Sequence, residues 1–155
     1  MAKIIKDLKA GDNEYFHRDF HMSGDIGVSY VGEKFGDAAV CEYLTRFAKA
    51  FYKPLIEKTA KNGLEEIKKH IENIYTIEKV PNDVKCTLED GVLNVKVAKC
   101  PAIAFMKSEG YQPSKWYVET TRIVNRVIAE ESGYGFEMIS YNEEDGAAEY
   151  KFFSK

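Results

Sequence analysis

The hydrophobic pattern of this chain changes its period at residues 81–83, where Pro81, Asn82 and Asp83 stand together. Before this point, apolar residues recur every three or four positions, which is typical of amphipathic helices. After it, apolar and polar residues alternate, which is typical of strands with one buried face. The chain therefore combines a helical half with a half that contains antiparallel strands.

Three helices are predicted before residue 81. The first begins after the N-cap candidates Gly11-Asp12-Asn13 and runs to about Phe35, and the second begins at Asp37. Pro54 kinks the second helix or marks its final turns, because proline breaks the backbone hydrogen-bond ladder. The third helix buries isoleucines between Leu64 and Ile77.

Two hairpins and two further helices are predicted after residue 83. Asp90-Gly91 is a strong signal for the first hairpin, and residues 142–146 form the turn of the second. Between the hairpins, a short helix begins at Pro101, and Ser114 can cap a longer one. The prediction is one α+β domain over residues 1–155, with an antiparallel four-stranded sheet of two hairpins and helices on one face, in the order αααββααββ.

Composition and charge narrow the class of function. Apolar residues make up 45% of the 155 and aromatic residues 13%, which excludes a disordered chain. The net charge is −3 and basic residues are interspersed with acidic ones, so we expect no nucleic-acid partner. No apolar run is long enough to span a bilayer, and the first residues are too polar for a secretory signal. We expect a cytoplasmic protein without membrane contact, and the many aromatic residues are compatible with a homodimer.

Cys100 is the strongest single candidate for chemistry. Three cysteines at wide spacings indicate neither a disulfide framework nor a paired-cysteine metal site. Cys100 follows a strand and precedes Pro101, which suits the first position of a helix. By strand parity it lies opposite the aliphatic row of residues 93, 95 and 97. Free amides at a helix N-terminus favour a thiolate. The alternative is a small half-buried residue at a strand end, as expected for Cys41 and Cys86.

His17 and His21 are four residues apart on the first predicted helix, and Asp25 lies one turn further along the same side. Two imidazoles and a carboxylate could bind a divalent metal such as zinc. The same side chains could instead bind substrate or act as a general base, since histidine titrates near neutral pH. A third reading places the histidines at the edge of the core. We expect no cofactor, with the metal as the alternative.

Amphipathic aromatic residues could line a pocket for a planar ligand. Tyr30, Trp116 and Tyr117 are the candidates for substrate binding, together with Asp25. The alternative is that these are large core residues with a polar end at the surface. No phosphate-binding glycine loop and no GxSxG segment is present in the sequence.

Two short segments carry a resemblance to a known family. Val97-Ala98-Lys99-Cys100-Pro101, taken with the closing segment from Asp145 to Phe152, resembles the L-2-amino-thiazoline-4-carboxylic acid hydrolase family. More distantly, the chain is similar to ligand-binding domains of the 4-vinyl reductase type. The resemblance implies a small-molecule hydrolase that opens a cyclic amidine, with Cys100 at the family's Cys-Pro position.

The working hypothesis is hydrolysis of a cyclic amidine C–N bond in a thiazoline-carboxylate-like substrate. Cys100, or a water activated by His17 or His21, would attack the amidine carbon. This mechanism requires the sulfur and the imidazoles to share one cavity. The alternatives are a non-catalytic small-molecule-binding or sensor domain and a metal-binding protein that uses His17 and His21.

Overall fold

The computed structural model describes residues 17–155, and their side chains from Phe20 onward. The N-cap predicted for the first helix at Gly11-Asp12-Asn13 lies outside the described residues. Within them the fold is α+β, with six α-helices and a four-stranded antiparallel sheet, as the sequence predicts. The α-helices are α1 (His17–Phe35), α2 (Asp37–Phe51), α3 (Lys53–Asn62), α4 (Glu65–Ile77), α5 (Pro101–Ser108) and α6 (Tyr117–Glu131).

The second predicted helix is in fact two helices. α2 ends at Phe51, α3 begins at Lys53, and Pro54 lies in the first turn of α3. Proline is tolerated in a first turn because its missing N–H would have no partner there. The described residues thus carry four α-helices before the first hairpin, one more than the order αααββααββ predicts.

The sheet consists of β1 (Val84–Glu89), β2 (Val92–Val97), β3 (Tyr134–Tyr141) and β4 (Ala148–Ser154), in the spatial order β1-β2-β4-β3. β1 and β2 form the hairpin predicted at Asp90-Gly91, and both turn residues have positive φ (50° and 74°). This backbone matches the twist of the flanking strands, which is why Asp-Gly is favoured there. β2 also pairs with β4, so the two hairpins lie side by side.

The two faces of the sheet differ in polarity. On one face, alternate residues of β2 and β4 are buried, and they are Leu93, Val95, Val97, Ala148, Tyr150 and Phe152. On the other face, Lys96 pairs with Glu149 at 2.6 Å and Lys151 with Glu137 at 2.8 Å. This alternation is expected of an antiparallel sheet covered on one side. α4 and α6 pack against the sheet, and α1 contacts α2 and α5.

Asp25 anchors α1 to the segment between α5 and α6. Its carboxylate is fully buried and accepts three hydrogen bonds, from the Tyr111 hydroxyl (2.8 Å), the Ser114 amide (2.8 Å) and the Ser114 hydroxyl (2.7 Å). The side chain of Ser114 therefore contacts Asp25. It does not cap α6, so the sequence-based prediction of Ser114 as the helix cap is wrong. Among residues 17–155, no helix is both long and apolar enough to cross a membrane.

Candidate functional site

A cavity of about 100 Å³ lies between the buried face of the sheet and helices α4 and α6. Its lining mixes aliphatic side chains with hydroxyl, imidazole, amide and thiol groups. The polar members are His21, Tyr52, His70, Tyr75, Cys100, Tyr117, Thr120, Thr121, Asn125, Tyr141 and Tyr150. We call this space the central cavity.

Cys100 lies at one end of the central cavity, held by the backbone around it. It is the N-cap residue of α5, and its amide donates a hydrogen bond to the Asp145 carbonyl oxygen (2.9 Å) in the turn between β3 and β4. Gly146 of that turn has φ +72°, and a Cβ there would overlap Cys100 and lie 2.9 Å from Cδ1 of Ile103. Only glycine satisfies both constraints, so this turn can close over the cysteine.

The parity argument for Cys100 is wrong. β2 ends at Val97, and an irregular segment separates it from Cys100. Alternation of faces does not continue beyond a strand, so Cys100 and Val97 line the same cavity.

The predicted thiolate at Cys100 is also not supported. Its sulfur shares a hydrogen bond with the Tyr117 hydroxyl over 3.7 Å, in which either group can donate. Burial raises the pKa of the Cys100 thiol, although hydrogen bonds from the Ile103 amide, the Tyr117 hydroxyl and the Ala102 amide lower it. The rise in pKa caused by desolvation is larger than the fall caused by the amides at the helix N-terminus. Cys100 is therefore a neutral thiol at pH 7.

His21 lines the same cavity as Cys100, as the mechanistic hypothesis requires. Its ring meets the Tyr117 ring edge-on, with centroids 6.0 Å apart, so both His21 and Cys100 contact Tyr117. Desolvation by burial lowers the pKa of His21 to about 4. The imidazole is therefore neutral at pH 7 and offers both a donor and an acceptor nitrogen.

The other cavity groups are also neutral. Burial raises the pKa of Tyr52 to about 12, raises the pKa values of Tyr75, Tyr141 and Tyr150, and lowers the pKa of His70. None of the described residues that line the cavity is Asp, Glu, Lys or Arg. The central cavity therefore presents hydrogen-bonding groups within a mostly apolar wall and carries no formal charge at pH 7.

Three predicted substrate-binding residues lie outside the central cavity. Asp25 is occupied by its three hydrogen bonds, and Tyr30 is 57% exposed and accepts a hydrogen bond from Lys34 (3.0 Å). Trp116 is buried, and its indole N–H donates to Asp37 Oδ1 at 2.7 Å. Only Tyr117 of the four predicted binding residues lines the cavity.

The metal hypothesis has no support among the described side chains. The side chain of His17 lies outside them, and Asp25 already accepts three hydrogen bonds. No group of three or more His, Cys, Asp or Glu side chains that could hold a metal ion occurs in the described part of the chain.

Several cavity residues were missed by sequence analysis. His70 follows Lys68 and Lys69, a run that predicts an exposed helix face, yet its ring packs edge-on against Tyr52 with centroids 5.7 Å apart. The sequence pattern could have predicted that Tyr75 and Tyr150 are buried, because each continues the apolar face of its helix or strand. A tyrosine in such a stripe is a polar group placed inside the fold.

No protein-family model, curated protein or solved structure matches this chain. The resemblance to the thiazoline-carboxylate hydrolases therefore rests on the two sequence segments alone. The protein is an α+β fold with a cavity that carries no formal charge and presents hydroxyl, imidazole, amide and thiol groups.

Proposed function

We propose that this protein binds a small, uncharged, polar molecule in the central cavity. The observation that carries the proposal is the lining itself, which offers many hydrogen-bonding groups and no ionised side chain among the described residues. An ionic ligand would lose its hydration without gaining a counter-ion, which costs several kcal/mol. A neutral ligand with donors and acceptors avoids this cost.

The free hydroxyl groups of the cavity support the same proposal. Within residues 17–155, no hydrogen bond involves the hydroxyls of Tyr75, Tyr141 or Tyr150, while Tyr117 bonds to Cys100. All three tyrosines line the central cavity, where a hydroxyl can pair with water or with a ligand. These three hydroxyls are therefore the groups that a bound molecule would meet.

Hydrolysis of a cyclic amidine remains a second candidate, because Cys100 and His21 line one cavity and both contact Tyr117. The protonation states favour binding over catalysis. A base with a pKa of about 4 is poorly matched to a thiol whose pKa is raised. Of the two routes, activation of a water by neutral His21 fits these states better than attack by a Cys100 thiolate.

The test compares imidazolidin-2-one, a neutral cyclic urea, with 2-amino-2-thiazoline-4-carboxylate, which carries a carboxylate. Binding is followed by backbone NMR shifts of cavity residues between pH 5.5 and 8. We expect the Kd of the urea to stay within about twofold, since the urea is neutral throughout and His21, with a pKa of about 4, does not titrate in this range. Binding of the carboxylate compound should weaken about tenfold for each unit by which the pH rises, since this ligand needs a protonated histidine as its counter-ion.

Matched tyrosine variants locate the site. Tyr150→Phe removes a cavity hydroxyl and should weaken imidazolidin-2-one binding about five- to tenfold, the value of one hydrogen bond. Tyr30→Phe removes an exposed hydroxyl outside the cavity and should leave binding unchanged. Absence of any shift at cavity residues with either compound would overturn the proposal. Conversion of the thiazoline to a product heavier by one water, lost in His21→Asn, would establish the hydrolase instead.

A further inference from the structure

A second cavity of about 200 Å³ lies between α1, α2 and α6. Most of its wall is apolar, with Phe20, Val28, Leu44, Phe47 and Val124 among the lining residues. The remaining described lining residues are His21, Ser23, Gly24, Tyr43, Tyr52 and Thr120. Ser23 and Tyr43 are exposed, so this cavity reaches the protein surface. We call it the α1–α2 cavity.

The two cavities share a wall. His21, Tyr52, Thr120 and Val124 line both of them. The central cavity and the α1–α2 cavity are therefore adjacent. His21 and Tyr52 are the two large side chains among these four, so a ligand that occupies both spaces would contact them.

Size favours a ligand that uses both spaces. The central cavity, at about 100 Å³, is smaller than the cavity of about 150 Å³ that holds benzene in an engineered protein. Together the two cavities offer roughly three times the central volume, which reaches the lower end of the range of about 300–1,000 Å³ typical of ligand sites. Both walls are mostly apolar, and the hydrogen-bonding side chains are more numerous in the central cavity.

We propose that the ligand is a neutral amphipathic small molecule, whose polar head lies in the central cavity and whose apolar tail lies in the α1–α2 cavity. This inference rests on the proposed function and adds the class of ligand. The head meets the hydroxyls of Tyr75, Tyr141 and Tyr150, and the tail contacts Phe20 and Phe47.

Gly24 provides a way to close the tail space without disturbing the fold. It lines the α1–α2 cavity, and a Cβ added there meets no heavy atom within 4 Å. Gly24→Leu therefore places an aliphatic side chain in this space, and replacing glycine within a helix also stabilises the helix. Gly27→Ala is the matched control, because Gly27 lies one turn further along α1 and lines neither cavity.

The experiment measures the Kd of n-alkylureas, from methylurea to octylurea, by NMR shifts of cavity residues. The head is constant and neutral along this series, and only the tail grows. For the wild-type protein and Gly27→Ala, we expect affinity to rise about fourfold per methylene until the tail space is full. In Gly24→Leu, methylurea binding should persist, while the gain with chain length should be lost. Thermal unfolding checks that each variant is folded.

Each outcome bears on one of the two proposals. Equal affinity along the whole series would overturn the tail site and leave the polar-head site standing. A gain with chain length that persists in Gly24→Leu would place the tail elsewhere and also overturn the inference. Failure of every alkylurea, including methylurea, to shift cavity residues would overturn the proposed function itself.

Discussion

The Cys100 sulfur lies 3.7 Å from the Tyr117 hydroxyl oxygen, at the end of α5 that sequence analysis marks as a site for a thiolate. The amides of Ala102 and Ile103 and the Tyr117 hydroxyl all lower the pKa of this thiol, yet burial raises it by more. The same residue can therefore have the position of a catalytic cysteine and the protonation state of a packed one. Its reactivity decides between the two readings.

We expect Cys100 to react slowly with iodoacetamide at pH 7.5, because the thiolate is the reactive species and the thiol pKa is raised. The labelling rate should rise about tenfold per pH unit up to pH 9 without a plateau. Tyr117→Phe removes a hydrogen bond that lowers the pKa, so labelling should slow by about three- to tenfold. The rates are measured on the Cys100 peptide by mass spectrometry.

The control for this measurement is Tyr141→Phe. Tyr141 also lines the central cavity, but its hydroxyl makes no hydrogen bond to the sulfur, so the labelling rate should change by less than about twofold. Labelling of the wild-type Cys100 that is faster than that of free glutathione at pH 7 would contradict the raised pKa. That result would favour the hydrolase mechanism.

Burial of His21 makes stability depend on pH. Its pKa falls from 6.5 in the unfolded chain to about 4 in the folded protein. Between these values the unfolded state binds the extra proton, so stability falls as pH decreases from 6.5 toward 4. The loss from this residue should reach about 2–3 kcal/mol at pH 4.5. Urea unfolding at pH 7.5 and pH 4.5 measures it.

His21→Asn isolates that contribution, because asparagine is neutral throughout. The difference in unfolding free energy between pH 7.5 and 4.5 should be smaller in this variant than in the wild-type protein by about 2–3 kcal/mol. His70, whose pKa burial also lowers, adds a loss of the same sign in both proteins. An identical pH dependence in the two proteins would mean that His21 titrates normally when folded.

Because Asp25 accepts three hydrogen bonds, we expect its replacement by alanine to lower the free energy of unfolding substantially. Asp25→Ala leaves the Ser114 amide, the Ser114 hydroxyl and the Tyr111 hydroxyl without their acceptor. Each unpaired buried group costs about 1–3 kcal/mol, so we expect a total loss of about 3 kcal/mol or more. Glu42→Ala removes an exposed ion pair with Arg46 and should cost less than about 1 kcal/mol. Denaturant unfolding of both variants measures the difference.

Local sequence patterns predicted the elements of the fold because these depend on neighbouring residues. The Asp90-Gly91 turn, the alternation along β2 and β4, and the helix start at Pro101 follow from backbone preference and burial on one face. The break at Tyr52 was harder to predict. Pro54 fits either a kink or a first turn, and the apolar pattern continues on both sides of it.

The site was only partly predictable, since a cavity depends on which elements pack together. The hypothesis that Cys100 and His21 share a cavity agrees with the structure, although the sequence could not show that Tyr117 contacts both. Asp25 has the residue type expected of a binding group. Its distant partners Tyr111 and Ser114, about 90 residues away in sequence, give it a structural role instead.

Gly32 and Gly24 should respond oppositely to the same substitution. A Cβ on Gly32 would lie 2.5 Å from Cε2 of Trp116, whereas a Cβ on Gly24 meets nothing within 4 Å. Trp116 cannot move freely, because it is buried and its indole N–H is bonded to Asp37. Gly32→Ala should therefore destabilise the protein by about 1–3 kcal/mol, the cost of overpacking. Gly24→Ala should stabilise it by about 0.5–1 kcal/mol through helix propensity. Urea midpoints that moved in the same direction for both variants would contradict the close packing of α1 against Trp116.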